Sequence, residues 1–272
     1  MEPAQRVSFG LRRFAHNDSN GEVVPSLTRI SSAVYGFIVL LTQEFPFLWS
    51  HFLQGSKNDR ADMMGPYYVL GAPSRQVEDG KAVLATAGEL KQFAPYLMTV
   101  TVKTPKGEPV PYATFDWWQA DTSGTYSNNT YRFRGKFKAN ADGVAEVLTV
   151  APGEYGPKGY ARAGHFHVII GPGDAKPELV HLTTQIYVCE NNDASAMNTD
   201  ILNLVRAVRK QNMNQSWSIP EANGLQQYMG FPKLDSEDAD TLKRVEWWNS
   251  KLEEIELKVV AGAETEIVLN SR

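Results

Sequence analysis

The sequence has few of the residues that build thiolate metal sites, basic surfaces or membrane spans. Cys189 is the only cysteine among 272 residues, which excludes an intrachain disulfide and a zinc or iron–sulfur site made of cysteines. The 27 lysines and arginines against 31 aspartates and glutamates give a net charge of −4, which argues against nucleic acid as a partner. The first apolar run, 33–41, is far shorter than the roughly 20 residues that a membrane helix needs. The N-terminal residues show no signal-peptide pattern, so we expect a cytoplasmic protein without a membrane partner.

From residue 65 onward the chain contains many short apolar segments, separated by glycine, proline, asparagine and aspartate. Several of them alternate as β-strands do, and they follow one another at close spacing. We therefore predict a mainly β fold: an antiparallel β-sandwich core with a helical N-terminal segment and helical C-terminal insertions. The predicted strands are 96–102, 112–119, 131–138, 144–150, 165–170 and 182–189.

Helical periodicity appears near both ends of the chain. The predicted helices are 25–41, 200–209 and 242–252, and the predicted C-terminal β-hairpin joins 255–260 to 265–269 through a turn at Gly262. The change to short apolar segments separated by turn residues divides the chain into two parts. These are an N-terminal helical and linker segment, 1–62, and a β-sandwich domain, 63–272.

Two histidines, His165 and His167, stand two residues apart in the predicted strand 165–170. Successive side chains of a strand point to opposite faces, so both imidazoles project to the same side. Two neighbouring imidazoles on a rigid element form half of a metal site. The alternative is a pair of partly exposed strand histidines, and the His-x-His pattern alone does not decide between the two.

Two tyrosines lie in turn-rich segments at strand ends. Tyr126 follows Gly124-Thr125, and Tyr155 lies in Pro-Gly-Glu-Tyr-Gly at 152–156. A rigid sheet can present such loop residues to a cleft. The alternative for each is a core or rim aromatic whose hydroxyl is hydrogen-bonded.

Taken together, these segments resemble the intradiol ring-cleavage dioxygenases. The resemblance begins at Gly-Pro-Tyr-Tyr-Val-Leu-Gly-Ala-Pro, 65–73, and continues through Asp-Trp-Trp-Gln-Ala-Asp at 116–121 and the two tyrosine segments. It ends with Arg-x-x-His-x-His at 162–167 and Leu-Thr-Thr-Gln-Ile-Tyr at 182–187. The resemblance covers roughly half of the chain. The four residues that match the family's metal ligands occur in the family's order, and the residues beside them also match.

The resemblance implies a non-haem Fe(III) site with Tyr126, Tyr155, His165 and His167 as ligands. The residue types agree, because ferric iron prefers anionic oxygen and a bound metal deprotonates a phenol whose free pKa is about 10. The implied partners are a small catechol-type aromatic diol and O2. The implied reaction breaks the bond between the two hydroxylated carbons and gives a cis,cis-muconate-type diacid.

The resemblance also assigns roles to residues around the iron. Tyr155 would take up a proton of the diol, and Gln185 would orient a ligand or substrate oxygen without adding charge. Arg162 would stabilise negative charge on the ring, provided that it reaches the site from a bend before the strand. Its alternative is a surface salt bridge. The residues that match the family's substrate pocket are Met63, Pro66, Tyr67 and Arg162, of which the first three have a core role as the alternative.

The sequence departs from the family's pattern between Tyr155 and Arg162. Only 156–161 intervenes where catechol-type members carry a longer insert, and Ala163-Gly164 stands in place of Pro-Ala. Because the short loop reshapes one wall of the pocket, hydroxyquinol, pyrogallol or a larger catechol is an alternative substrate. Those members also dimerise through a longer helical N-terminal region, so a homodimer is left open here.

A different class of function, a non-catalytic β-sandwich module that binds a partner or a carbohydrate, is also considered. The presence of all four ligand types together with Arg162 and Gln185 speaks against it. A zinc hydrolase fits less well still, because two phenolates are unusual zinc ligands.

Overall fold

The structure, a computed structural model, describes residues 23–44, 60–157, 161–189, 200, 213–218 and 239–271. Its helices are α1 (Ser26–Val39), extended by the π-helix Leu40–Glu44, then α2 (Ala87–Phe93) and α3 (Ala239–Leu252), which the 3-10 helix Glu253–Ile255 follows. The strands are β1 (Gln76–Glu78), β2 (Lys81–Val83), β3 (Tyr96–Lys103), β4 (Thr114–Gln119), β5 (Arg134–Lys138), β6 (Val144–Thr149), β7 (His165–Gly171), β8 (Leu182–Cys189), β9 (Met213–Ser218) and β10 (Ala261–Val268). None of these helices is long and apolar enough to cross a membrane.

The strands form one hydrogen-bonded sheet in the order β1-β2-β6-β3-β10-β9-β8-β7-β4-β5. The main cluster of buried apolar side chains draws on both halves of this order. Tyr96 on β3 and Phe166 on β7, for example, have ring centroids 6.0 Å apart. The sheet therefore folds over so that its two halves face each other across the core. The predicted mainly β fold with a sandwich core is confirmed.

Strand pairing is mixed rather than antiparallel throughout. β2 runs parallel to β6, β9 to β8, and β10 to β3. β10 follows α3 late in the chain, and a long connection of this kind allows a strand to insert parallel to an earlier one. The six predicted strands are confirmed as β3 to β8, with ends that differ by at most a few residues.

The predicted C-terminal hairpin is wrong. Residues 257–260 form no strand, and Gly262 lies inside β10, which pairs with β3 along its whole length. The alternation of apolar residues before β10 has another cause. Ile255, Leu257 and Val259 pack against the buried face of α3, in the cluster that contains Trp248.

The predicted helices at 25–41 and 242–252 are confirmed as α1 and α3. In α3 the buried residues Val245, Trp248 and Leu252 recur at helical spacing, and Trp248 Nε1 donates to Glu146 Oε2 at 2.7 Å. The predicted helix at 200–209 lies outside the described residues, apart from Asp200.

The two faces of β7 are both buried, and this arrangement positions the site. Phe166, Val168 and Ile170 face the sandwich core. The opposite face carries His165 and His167, as the alternation along a strand requires. Segment 60–73 and helix α1 lie over this second face, where Val39, Met64 and Trp118 form a small apolar cluster. A hydrogen bond of 3.0 Å from the Leu70 amide to Ser32 Oγ joins the two covering segments.

Candidate metal centre

The histidines His165 and His167 lie side by side on β7, as the sequence predicts. Each is 1% exposed, and their Nε2 atoms are 3.1 Å apart. His165 Nδ1 lies 2.5 Å from the carbonyl oxygen of Ala163, an atom that can only accept a hydrogen bond. This nitrogen therefore donates, and the lone pair of His165 Nε2 faces the second imidazole. The pair is fully buried rather than partly exposed.

The tyrosines Tyr126 and Tyr155 come from the loops after β4 and β6, and both lie against the histidines. The ring centroids of Tyr126 and Tyr155 are 5.3 Å apart. The Tyr155 ring is 5.6 Å from that of His165, and the Tyr126 ring is 6.1 Å from that of His167. The structure thus brings together the four side chains that the sequence marks as ligands, while their role as ligands stays a prediction.

The two tyrosine loops touch at glycines, which explains how the rings come so close. Gly124 has a φ of +79°, and a Cβ added there would lie 2.2 Å from the carbonyl oxygen of Glu154. On the other loop, a Cβ at Gly153 would lie 2.1 Å from the carbonyl oxygen of Thr122. Only glycine permits both the left-handed backbone and this contact between main chains.

A carboxylate organises the Tyr126 loop from within. Asp121 Oδ1 accepts hydrogen bonds from the amides of Ser123 and Thr125, both at 2.9 Å. Its other oxygen accepts from Arg132 Nη1 at 3.0 Å. Burial alone would raise the pKa of Asp121, but hydrogen bonds from the Ser123 hydroxyl and the Thr125 amide, together with the charge of Arg132, outweigh it and lower the pKa. The ionised carboxylate therefore holds the loop that presents Tyr126.

The electrostatics of the tyrosines suit a hard cation. The buried Tyr126 hydroxyl makes no hydrogen bond of ordinary geometry to any described residue. Burial raises the pKa of Tyr126 well above its usual value, and the nearby Tyr155 hydroxyl adds to the rise, while Arg162 opposes it. Burial also raises the pKa of Tyr155, again against Arg162. A bound metal ion would supply the charge that ionises such phenols.

The donor set of two phenol oxygens and two imidazole nitrogens fits ferric iron in chemical type. The described ranges contain no group of three or more histidine, cysteine, aspartate and glutamate side chains that could hold a metal ion. Within these ranges, Tyr126 and Tyr155 are the side chains beside His165 and His167 that the sequence marks as further ligands.

Arg162 reaches the tyrosines from the bend before β7, as the sequence requires for a role in the site. Its Nη1 donates to Tyr155 Oη at 3.3 Å, and its Nη2 donates to Gln185 Oε1 at 2.6 Å. Its Nε donates to both oxygens of Asp200, at 2.9 and 3.0 Å. Burial would lower the pKa of Arg162, but attraction to Tyr187, Tyr155 and Asp200 outweighs it and raises the pKa. Arg162 is thus a buried permanent cation and not part of a surface salt bridge.

Gln185 lies directly beside the histidines, because it pairs with His167 across β7 and β8. Its side chain is fully buried. Oε1 accepts from Arg162, and Nε2 donates to the carbonyl oxygen of Met63 at 2.8 Å. The amide therefore joins the segment at Met63 to the sheet without adding charge.

Three members of this polar network, Tyr187, Asp62 and Asp200, were not predicted from the sequence. The Tyr187 hydroxyl lies 2.7 Å from Gln185 Oε1 and 3.0 Å from Asp62 Oδ2. It also accepts from Arg162 Nη2 at 3.1 Å. A signal existed for Tyr187, which shares a strand face with Gln185. The two aspartates carry no local signal, because they are distant from Arg162 and Tyr187 in the chain.

The ring of His167 is approached by two residues that were also not predicted. Trp118, its neighbour on β4, stacks on it with ring centroids 4.9 Å apart and planes 7° apart. Gly65 also approaches this ring, because a Cβ added there would lie 3.1 Å from His167 Cε1. Trp118 could have been found from the pairing of its strand with the histidine strand. Gly65 could not, because the sequence motif at 65–73 does not show which ring it approaches.

Of the predicted pocket residues Met63, Pro66 and Tyr67, the last lies against both tyrosines. Tyr67 stacks on Tyr126, with centroids 4.4 Å apart and planes 9° apart, and meets Tyr155 edge-on at 6.2 Å. Met63 contributes its carbonyl oxygen to Gln185. Pro66 is exposed beside Tyr67. Their contact with a substrate stays a prediction.

The sequence of the region that builds this centre matches a known family. Residues 63–216, more than half of the chain, match the sequence model of a family described as Dioxygenase. The chain belongs to the intradiol dioxygenase family.

Two relatives of this intradiol dioxygenase family member are named as dioxygenases of catechols. A chlorocatechol 1,2-dioxygenase from Pseudomonas sp. (strain P51) is 29% identical over 154 residues, which cover 49% of this chain and 57% of that protein. A catechol 1,2-dioxygenase 1 from Acinetobacter lwoffii is 30% identical over 124 residues, which cover 43% of this chain and 39% of that protein. The matched region thus spans only 39–57% of the length of these relatives.

Solved structures show the same fold. The catechol 1,2-dioxygenase from Pseudomonas arvilla C-1 superposes with a TM-score of 0.57 at 19% identity, over 90% of this chain and 75% of that one. At this identity the likeness concerns the fold alone, and it agrees with the β-sandwich described above.

Proposed function

We propose that this intradiol dioxygenase family member binds Fe(III) through Tyr126, Tyr155, His165 and His167 and cleaves a catechol-type aromatic diol with O2. Family membership supports intradiol ring cleavage in general. One observation carries the proposal furthest: two half-buried tyrosines and two buried histidines converge on one side of β7, with Arg162 hydrogen-bonded to Tyr155.

Bound Fe(III) would supply a Lewis acid that favours the ionised forms of the phenols and of the diol. In this proposal Tyr155 Oη takes up one of the diol protons. Arg162 Nη1, which donates a hydrogen bond to Tyr155 Oη, would hold this oxygen in place while the proton is transferred. The pKa of Tyr155 is raised by burial, which favours the protonated phenol once it holds that proton.

The charge of Arg162 is proposed to stabilise negative charge that develops on the substrate ring. Its guanidinium is held by Asp200 on one side and by Gln185 on the other. A cation that is already fixed in place needs no reorganisation when charge develops beside it. Gln185 then orients that guanidinium without adding a second negative charge to that of Asp200.

The proposed reaction is balanced without an external reductant. The bond between the two hydroxylated carbons breaks, and each of these carbons gains one atom of O2 to become a carboxyl group. The product is a cis,cis-muconate-type diacid. The names of the relatives, catechol and chlorocatechol dioxygenases, support a catechol-type diol as substrate.

A turnover experiment tests the proposal. The purified protein, loaded with ferric iron, is mixed with catechol in the presence of labelled ¹⁸O₂, and the product is analysed by mass spectrometry. The expected product is a ring-opened diacid that contains two labelled oxygens. Failure of the iron-loaded protein to open any ring in a panel of catechol, chlorocatechol, hydroxyquinol and pyrogallol would contradict the proposal. A strong preference within the panel would identify the substrate and separate catechol from the more hydroxylated alternatives.

A further inference from the structure

Arg134, at the start of β5, is a second buried arginine beside the site. It is 1% exposed. Its Nη1 donates to the carbonyl oxygen of Tyr67 at 2.6 Å. Its Nη2 and Nε donate to the carbonyl oxygen of Ser127, at 2.7 and 3.3 Å. One guanidinium therefore spans two chain segments that are about 60 residues apart in the sequence.

Both segments carry a tyrosine of the site. Tyr67 is itself one of the bonded residues, and Tyr126 directly precedes Ser127. The two rings are the ones that stack 4.4 Å apart and nearly parallel. Because Arg134 holds both backbones, it fixes the offset of one ring against the other. The planar fork of a guanidinium suits this task, since its donors diverge at fixed angles.

The position of Arg134 is itself fixed by a third arginine. Arg75, which is also buried, donates from Nε to the carbonyl oxygen of Arg134 and from Nη2 to that of Tyr131, both at 3.0 Å. The backbone of Arg134, on the edge strand β5, is thus itself held by a buried guanidinium.

Packing alone does not explain why residue 134 is charged. Its hydrogen-bond partners are backbone carbonyls and not carboxylates, and burial lowers the pKa of Arg134 to about 10. Burying a cation in this way is costly, and what the guanidinium offers in return is a planar fork of donors that reaches two carbonyl oxygens at once.

We propose that Arg134 is a positioning residue of the diol site, which aligns the Tyr67 ring on the Tyr126 ring and so sets the orientation of the Tyr126 phenol. The functional part of this inference rests on the proposed function, whereas the alignment of the two rings does not. Lysine at position 134 keeps the charge but lacks the fork, so it cannot hold both carbonyl oxygens in the same geometry.

The first experiment uses the metal-free protein. Near-ultraviolet circular dichroism of Tyr67→Leu, subtracted from that of the wild type, defines the signal of the stacked pair. The Arg134→Lys variant is expected to lose more than half of that signal. The Thr104→Ala variant, which removes the acceptor of the Lys106 and Glu108 amides in the turn after β3, is the control for a general loss of stability and should keep the signal. An unchanged signal in Arg134→Lys would overturn the proposal, whatever its activity.

The second experiment uses the iron-loaded protein with catechol. We expect Arg134→Lys to lower kcat/KM by about tenfold to a hundredfold, mainly through a higher KM, because the diol then meets a displaced ring. Thr104→Ala should stay within about twofold of the wild type, since the hydrogen bonds that it removes lie in the turn 104–108 and not in the site. Equal kcat/KM in Arg134→Lys and the wild type would overturn the role in diol binding. If the wild type binds no iron, the proposed function fails, while the dichroism experiment still decides the alignment of the rings.

Discussion

The two faces of β7 are equally buried, yet they are built on different physical principles. The inner face carries Phe166, Val168 and Ile170, which pack against apolar side chains of the opposite half of the sheet. The outer face carries His165 and His167, which lie against the rings of tyrosines and beside the amide of Gln185. Burial of apolar area stabilises the inner face and depends on volume. The outer face gains little stability from burial and depends instead on the direction of each hydrogen bond.

This difference separates stability from function along a single strand. A change on the inner face should lower the free energy of unfolding and leave the chemistry of the folded molecule intact. A change on the outer face should remove the chemistry and leave most of the fold. The following variants test whether the two faces are independent in this way.

The largest effect is expected for His165→Gln on the outer face. Replacing an imidazole by an amide removes a proposed metal ligand but keeps a polar side chain of moderate size. Ring cleavage should fall by at least about a thousandfold, because the metal supplies most of the activation of the diol. Iron content after reconstitution and thermal unfolding of the metal-free protein are the measurements. Activity within tenfold of the wild type would show that His165 is not a ligand.

On the inner face, Phe166→Ala is expected to lower the free energy of unfolding strongly and to leave the chemistry of the folded protein intact. Phe166 is fully buried and its ring lies 4.9 Å from that of Trp117. Truncation of a buried phenylalanine costs about 3–5 kcal/mol through lost burial and the cavity left behind. Denaturant unfolding measures this loss, and Phe166→Leu should cost no more than about 1.5 kcal/mol as the matched control. Loss of iron binding in the still folded fraction would show that the two faces are coupled.

A smaller effect is expected where the two tyrosine loops touch. Gly124→Ala puts a Cβ against the carbonyl of Glu154 and also strains a residue with a φ of +79°. Gly107 is a matched control, because its φ is +81° and an added Cβ meets nothing within 4 Å. Gly107→Ala should cost only the conformational strain, about 1–2 kcal/mol.

Gly124→Ala should cost more than this control and should also weaken iron binding, because the clash moves Tyr155 away from Tyr126. Calorimetry and iron titration of both variants measure the two effects. Equal iron affinity in the two variants would show that contact between the loops does not position the tyrosines.

The smallest effect concerns Asp121, whose pKa is lowered in the folded protein. A lowered folded pKa means that the carboxylate stabilises the protein fully above the ordinary aspartate pKa of about 3.9, and that this stability is lost as the pH falls through the lower folded value. Asp121→Asn should therefore cost about 1–2 kcal/mol at pH 7, and progressively less below about pH 4. Urea unfolding at pH 7 and pH 3 measures the difference. A cost that is the same at both pH values would contradict this account of the loop.

Local patterns in the sequence were sufficient to predict much of the sheet and the members of the candidate site. Alternation within 165–170 and 182–189 gives β7 and β8, and the short spacing of His165 and His167 determines which face they share. Tyr126 and Tyr155 lie within motifs, so their arrival at the same place follows from the resemblance to the family and not from the residues alone.

The contacts that the sequence did not predict join distant parts of the chain. Asp200 is 38 residues from Arg162, and Asp62 is 125 residues from Tyr187. Neither pair produces a periodicity, because a buried ion pair or hydrogen bond depends on how the loops pack. The C-terminal hairpin was mispredicted for a related reason. The apolar alternation at 255–260 serves packing against α3, while β10 finds its partner, β3, far back in the chain.

The visible absorption spectrum tests the central claim most directly. The protein is purified, loaded with ferric iron without oxygen, and its spectrum is recorded before and after addition of catechol. We predict a broad visible charge-transfer band from tyrosinate to iron, which shifts when the diol is added and which Tyr126→Phe and Tyr155→Phe each alter. A protein that stays colourless after ferric reconstitution, or a band that neither substitution changes, would contradict the assignment of this centre.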